Sequence, residues 1–165
     1  EHQALTRARF CAGDREIGRK FEDIRVEVLR QPRDLAKLRE EVLSMRQRMV
    51  DANPGKPPLF DLKHDRGGLI DVEFIVQYLV LGYAHRHASL TGNLGNIALL
   101  AMAGELGLIP QEQAALVADT YREYRRLQHG LRLNNQVSRV EGDLVAERAR
   151  GVRELWNLVL GDTVE

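Results

Sequence analysis

The chain has 165 residues, 44% of them hydrophobic, enough for one folded unit with a real core. Its 24 lysines and arginines balance 24 aspartates and glutamates, which argues against a general nucleic-acid or acidic-lipid surface. A single cysteine, Cys11, rules out an internal disulfide, and no apolar run reaches the ~20 residues of a membrane helix. The expectation is a soluble, cytoplasmic protein that binds neither nucleic acid nor membrane.

Apolar residues recur at helical spacing in almost every segment, and alternating strand-like runs are missing, so the fold class expected is all-α. A first helix is expected from Glu1 to about Ala12, with Cys11 as a small apolar residue in its stripe. Gly13 breaks it and Asp14 caps the next. In that second helix Ile17, Phe21, Ile24 and Val28 follow at steps of four, three and four. After Pro32, residues Arg33 to about Val50 carry the seam Leu35, Leu38, Val42, Met45 and Met49, and the opposite face, with Lys37, Glu41 and several arginines, reads as solvated. The proline-rich connector at 51–60 excludes a continuing helix.

Leu69 to about His87 is apolar almost all round, as a central helix enclosed by others would be. His85 and His87 lie two apart, not at the four-residue step of paired helical ligands, and read as surface or end-of-helix residues. A short helix follows from Leu94 to about Leu106, then a long one from Pro110 to about Leu133 with Tyr121 and Tyr124 at the core edge, and a last one from Leu144 to Leu160. The sum is a bundle of about six or seven helices around one central buried helix, with residues 1–165 forming a single helical domain. The opening "EHQALTRARF", without an initiator methionine or an apolar leader, reads as part of something longer.

The chemistry-bearing stretch is "FDLKHDRGGLIDVEFIVQYLVL", Phe60 to Leu81. Lys63 is tethered just ahead of a helix N-terminus, where an ammonium beside free backbone amides suits an anion such as phosphate. Gly67 and Gly68 permit positive φ or close backbone approach, though their spacing fits neither the phosphate-binding loop nor the dinucleotide fingerprint. Asp71 and Glu73 stand in the first turn or so of the helix, where carboxylates are favoured by the dipole, and lie about 200° apart on its wheel. They do not make one chelating face. One of them must point into protein and needs a partner, with Lys63, Arg66 or an arginine of "TRARF" as candidates. Ser44, Ser89 and Ser138 sit in no nucleophile elbow, so no complete catalytic apparatus is visible.

"EHQAL", "RAR" and "GD" at the start, then "FDLKHDRGGLIDVEFIVQYLVL", "NLGNIALLAMAGELGLI" and "YREYRRLQHGLRL" resemble the glutamine synthetase adenylyltransferase/adenylyl-removing enzymes. That family has two similar halves, each a nucleotidyltransferase domain followed by a helical domain. One half transfers AMP from ATP to a tyrosine of glutamine synthetase and the other removes it. Ile70 and Asp71 stand where the N-terminal half carries arginine and glutamate, so the resemblance implies the helical domain of the C-terminal, adenylylating half. It implies Mg2+ and ATP as cofactors of the whole enzyme, neither held by this segment alone. Glutamine synthetase, a PII-type signalling protein and the preceding nucleotidyltransferase domain are the implied partners. A nucleotide-cleft wall would then be built from Lys63, Gly67, Gly68, Asp71 and Glu73, with Arg7 and Arg9 as further candidates, and with no catalytic or metal residue in the segment. The competing readings are a noncatalytic interaction module and the equivalent domain of PII uridylyltransferase.

Overall fold

The computed structural model describes residues 2–161. Among these residues the elements are α1 (His2–Leu5), α2 (Arg15–Leu29), α3 (Leu35–Ala52), β1 (Leu59–Asp61), α4 (Leu69–Tyr83), α5 (Asn96–Glu105), α6 (Gln111–Leu133), β2 (Arg139–Glu141) and α7 (Ala146–Leu160), with two short 3-10 turns. The all-α reading holds: seven α-helices and one two-stranded ribbon.

The all-round apolar sequence of α4 makes it the axis of the bundle. Of its 15 residues, 12 are buried, and α3, α5, α6 and α7 all pack on it. Val72, Ile75, Leu100, Val117, Tyr124, Val152 and Leu155 are among the fully covered side chains of the core. Burying each large aliphatic side chain stabilises the fold by about 1.5–3 kcal/mol. Asp14 and Asp34 cap α2 and α3, each accepting two backbone N–H bonds, the usual way an N-terminus disposes of its orphan donors. Arg33 fastens the α2–α3 turn to the end of α4, donating to the carbonyls of Val28, Leu29, Gln31 and Leu81, and its half-burial lowers its pKa.

Four local expectations change. The first helix ends at Leu5, where the Thr6 hydroxyl donates to the Gln3 carbonyl at 2.8 Å; such local side-chain bonding competes with helix continuation. Cys11 is consequently exposed and outside any helix. The α2 stripe faces away from the bundle, with Ile17 and Ile24 exposed. Residues 139–141 form a strand although no alternating run marks one there, and pair antiparallel with residues 59–61: Leu59 opposes Glu141, Phe60 opposes Val140 and Asp61 opposes Arg139. This ribbon ties the connector to the α6–α7 crossing, and Phe60 rests beside Tyr124 with ring centroids 6.0 Å apart.

Candidate functional site

The loop between β1 and α4 is bound at almost every peptide. The Asp61 carboxylate accepts from the N–H groups of Lys63 and His64, both at 3.0 Å, and Asp65 accepts from the Asp61 N–H at 2.8 Å. The Gly68 N–H donates to the Asp65 carbonyl, that of Leu69 to Leu62, and that of Ile70 to Lys63. The Gly67 N–H donates to Asp71 Oδ2 at 2.6 Å. Amides 67 to 70, which the sequence suggests as an anion cradle, are therefore spent on the loop itself, because the loop folds back over the helix end and supplies its own carbonyls.

Beneath the loop lies a buried ion pair. Asp71, 1% exposed, pairs through Oδ1 with Arg46 Nε of α3, and Arg46 is wholly covered. Arg46 Nη2 also donates to the carbonyls of His64 at 2.8 Å and Asp65 at 3.2 Å. One guanidinium thus satisfies a buried carboxylate and two loop carbonyls, which is the geometry that makes a buried charge tolerable. The candidates Lys63, Arg66 and "TRARF" miss this partner. The signal was available: Arg46 follows Val42 by four and precedes Met49 by three, so it lies in the buried seam.

Gly67 adopts φ +91°, and a Cβ there would meet the Ala149 carbonyl oxygen of α7 at 2.5 Å. At Gly68 a Cβ would meet the carbonyl oxygens of Asp65 and Leu62 at 2.9 Å. Both glycines thus serve close approach, but to the protein's own backbone.

Glu73 takes the other side of α4. It is a quarter exposed, pairs with Arg7 Nη1 at 3.3 Å, and accepts from the Tyr121 hydroxyl at 3.2 Å. Here the "TRARF" expectation meets its arginine. Burial, and then the Glu73 charge, raise the Tyr121 pKa, so the hydroxyl stays protonated and donating. Lys63 is exposed, and among the described residues its ammonium has no hydrogen-bond or ion-pair partner. Arg66 spans Gln47 Oε1 at 3.1 Å and the face of Trp156 at 5.7 Å. Arg9 is exposed and joins no side-chain pairing among the described residues. The structure therefore joins Arg7 to Glu73, places Asp71 with Gly67 below the surface, and leaves Lys63 and Arg9 apart from both pairs.

No group of three metal-ligating side chains occurs among the described residues. Both Asp71 oxygens are engaged and Glu73 is paired, so the donor set does not fit a divalent cation. None of the described helices is long and apolar enough to cross a membrane.

Residues 35–158 match the sequence profile of the family described as GlnD PII-uridylyltransferase. The chain belongs to this family. Within the PII-uridylyltransferase family's matched region lie α3 to α6, α7 up to residue 158, the β1–α4 loop and both members of the buried ion pair; α1 and α2 precede it. The chain is also 65% identical over 161 residues to the bifunctional glutamine synthetase adenylyltransferase/adenylyl-removing enzyme of Aromatoleum aromaticum, covering 98% of this chain and 17% of that protein. Enzymes of the same name from Ralstonia nicotianae (57% over 162 residues, 98% and 17%) and Nitrosomonas europaea (53% over 176 residues, 98% and 19%) are similar throughout the chain. The chain spans less than a fifth of the length of these relatives.

Proposed function

We propose that this chain is the helical domain of an adenylyltransferase that moves AMP from ATP to a tyrosine of glutamine synthetase, and that it forms one wall of the nucleotide cleft. The 65% identity over 98% of the chain to an enzyme of that name supports the adenylyl reading over its uridylyl counterpart. The segment is inactive by itself: Mg2+ and the reacting phosphates belong to the nucleotidyltransferase domain of the same cytoplasmic polypeptide. A PII-type protein regulates the whole enzyme in this reading.

One observation carries the cleft wall. Lys63 projects into solvent from a loop whose backbone N–H groups are bonded at 63–65 and at 67–70 and whose underside is held by Arg46. A free ammonium on a rigid mount meets triphosphate charge with little ordering cost, and positioning plus charge neutralisation is what nucleotidyl transfer asks of protein groups. Asp71 and the glycines act by holding the loop, and Arg7 with Glu73 and Tyr121, on the other side of α4, forms the rim.

Lys63→Ala in the full-length enzyme is expected to lower AMP transfer about tenfold or more, equivalent to about 1.4 kcal/mol of transition-state stabilisation, with the unfolding curve unchanged. Transfer at the normal rate with the normal dependence on ATP would remove Lys63 from the site.

A further inference from the structure

The stripe Ile17, Phe21, Ile24 and Val28 makes α2 amphipathic, yet Ile17 is 68% exposed and Ile24 60% exposed, with Phe21 and Val28 half-buried. The face turned to the bundle is instead Gly18, Arg25 and Leu29. Phe10, from the loop after α1, is itself partly exposed and lies over Gly18, where a Cβ would meet its ring at 2.8 Å. Isolated apolar residues at a surface are ordinary; a row along one helix with an aromatic ring beside it is a patch that a partner covers.

The exposure is not the slack of a loosely held helix. Arg25 is buried and donates to the Thr91 carbonyl at 2.6 Å, the Leu5 carbonyl at 3.3 Å and Glu22 at 2.7 Å, while Leu29 is fully covered. Turning α2 to hide its stripe would break the bonds from the buried Arg25 guanidinium to the Thr91 and Leu5 carbonyls, so the structure fixes the stripe outward.

Three observations choose the occupant. The chain spans less than a fifth of its relatives' length, so most of such a polypeptide lies outside these residues. Next, α1 and α2 fall outside the region shared with the uridylyltransferase profile but inside the match to the adenylyltransferases, which covers 98% of the chain. Finally, the loop that carries Phe10 also carries Arg7, which reaches Glu73 at the candidate rim. Three residues of chain reach at most about 11 Å, so whatever covers Phe10 stands next to that rim. The charges on α2 include both signs and pair locally, Lys20 with Glu16 and Arg25 with Glu22, unlike the basic polar face that an anionic membrane selects.

We propose that the patch of Phe10, Ile17, Phe21 and Ile24 is the docking face for the nucleotidyltransferase domain of the same polypeptide, and that this contact sets Arg7 and Glu73 against the nucleotide. The inference rests on the reading of the chain as part of an adenylyltransferase.

The test places a photo-crosslinking amino acid at Ile24 of the full-length enzyme, with the same group at Leu133, 84% exposed, as the reference for an uncovered position. Irradiation is expected to give an intramolecular crosslink to a peptide of the nucleotidyltransferase domain, in a yield independent of enzyme concentration and at least tenfold above that to the same domain from Leu133. Crosslinks between two copies, to another domain, or no more abundant than from Leu133 would overturn the proposal. In parallel, Ile17→Glu/Ile24→Glu is expected to raise the rate of limited proteolysis between the two domains at least tenfold; an unchanged rate would count against docking. Because neither readout measures transfer or involves Lys63, a normal Lys63→Ala enzyme with the expected crosslink would sink the nucleotide-wall reading alone. The converse pattern would sink the docking face alone.

Discussion

Asp71 and Glu73 are two residues apart on one helix, with similar chemistry, and the bundle gives them opposite environments. Asp71 is 1% exposed and locked to Arg46 and the Gly67 amide. Glu73 stays a quarter open and shares Arg7 and Tyr121. The cause is the advance of about 100° per residue, which turns one carboxylate under the β1–α4 loop and the other toward α1 and α6. A floor and a rim arise from a short motif, and a charge belongs to the floor only if its partner is buried with it. The comparison is sharp because the two places should respond differently to the same kind of substitution.

The largest effect is expected at the floor. Asp71→Ala strands the Arg46 guanidinium away from water and should cost about 3–5 kcal/mol in urea unfolding. The double variant Arg46→Met/Asp71→Leu should lose less than either single change, because no uncompensated charge remains. A double variant as unstable as Asp71→Ala would show that the two loop carbonyls bonded by Arg46 matter more than the ion pair.

Gly67→Ala comes next. Its φ of +91° disfavours any side chain, which alone costs about 1–3 kcal/mol, and the Ala149 carbonyl adds a clash. Circular dichroism melts should place this variant between Asp71→Ala and the rim substitutions. Wild-type stability would mean that α7 yields at Ala149 and that the glycine is not what sets the loop height.

The contrast of floor and rim also shows what sequence reasoning could reach. The central helix was legible because an all-round apolar run has few other homes, and the cap at Asp14 was legible from the Gly13 break before it, whereas the Asp34 cap of α3 was not singled out. Glu73's arginine lay within the candidate set, since an arginine of "TRARF" was among the partners offered for either acid. Arg46 was missed because arginine defaults to solvent in a reading by residue type, although the spacing from Val42 to Met49 placed it in the seam. The outward turn of α2 was illegible for a different reason. Periodicity reveals that a helix has an apolar face, but not whether the matching surface lies in the same stretch of chain. Likewise "RVE" became a strand through its long-range pairing with "LFD", which no local propensity specifies.

A pH titration probes the rim more gently. Burial and the Glu73 charge raise the Tyr121 pKa above the ordinary value of 10.0. The folded chain then keeps its phenolic proton where the unfolded chain releases it. This contribution is complete below about pH 10 and is lost as pH rises through the interval between the two values. Tyr121→Phe should therefore flatten the fall of stability with alkaline pH while costing about 1 kcal/mol near pH 7 for the lost hydrogen bond. An alkaline slope identical to wild type would assign the loss to other tyrosines, Tyr124 first, whose deeper burial raises its pKa further.

The smallest stability change is expected for Arg7→Ala and Glu73→Gln. Arg7 is more than half exposed, so solvent screens its pair with Glu73, and exposed pairs contribute about 0–1 kcal/mol. A double-mutant cycle on unfolding should return a coupling in that range, decreasing with added salt. The same substitutions in the full-length enzyme should weaken ATP use, raising KM more than they lower kcat, because the pair orients a wall and touches no reacting atom. Small stability with a clear kinetic effect is the signature that separates rim from floor. If Glu73→Gln destabilised the chain as much as Asp71→Ala, Glu73 would be a second structural anchor, and the nucleotide wall would rest on Lys63 alone.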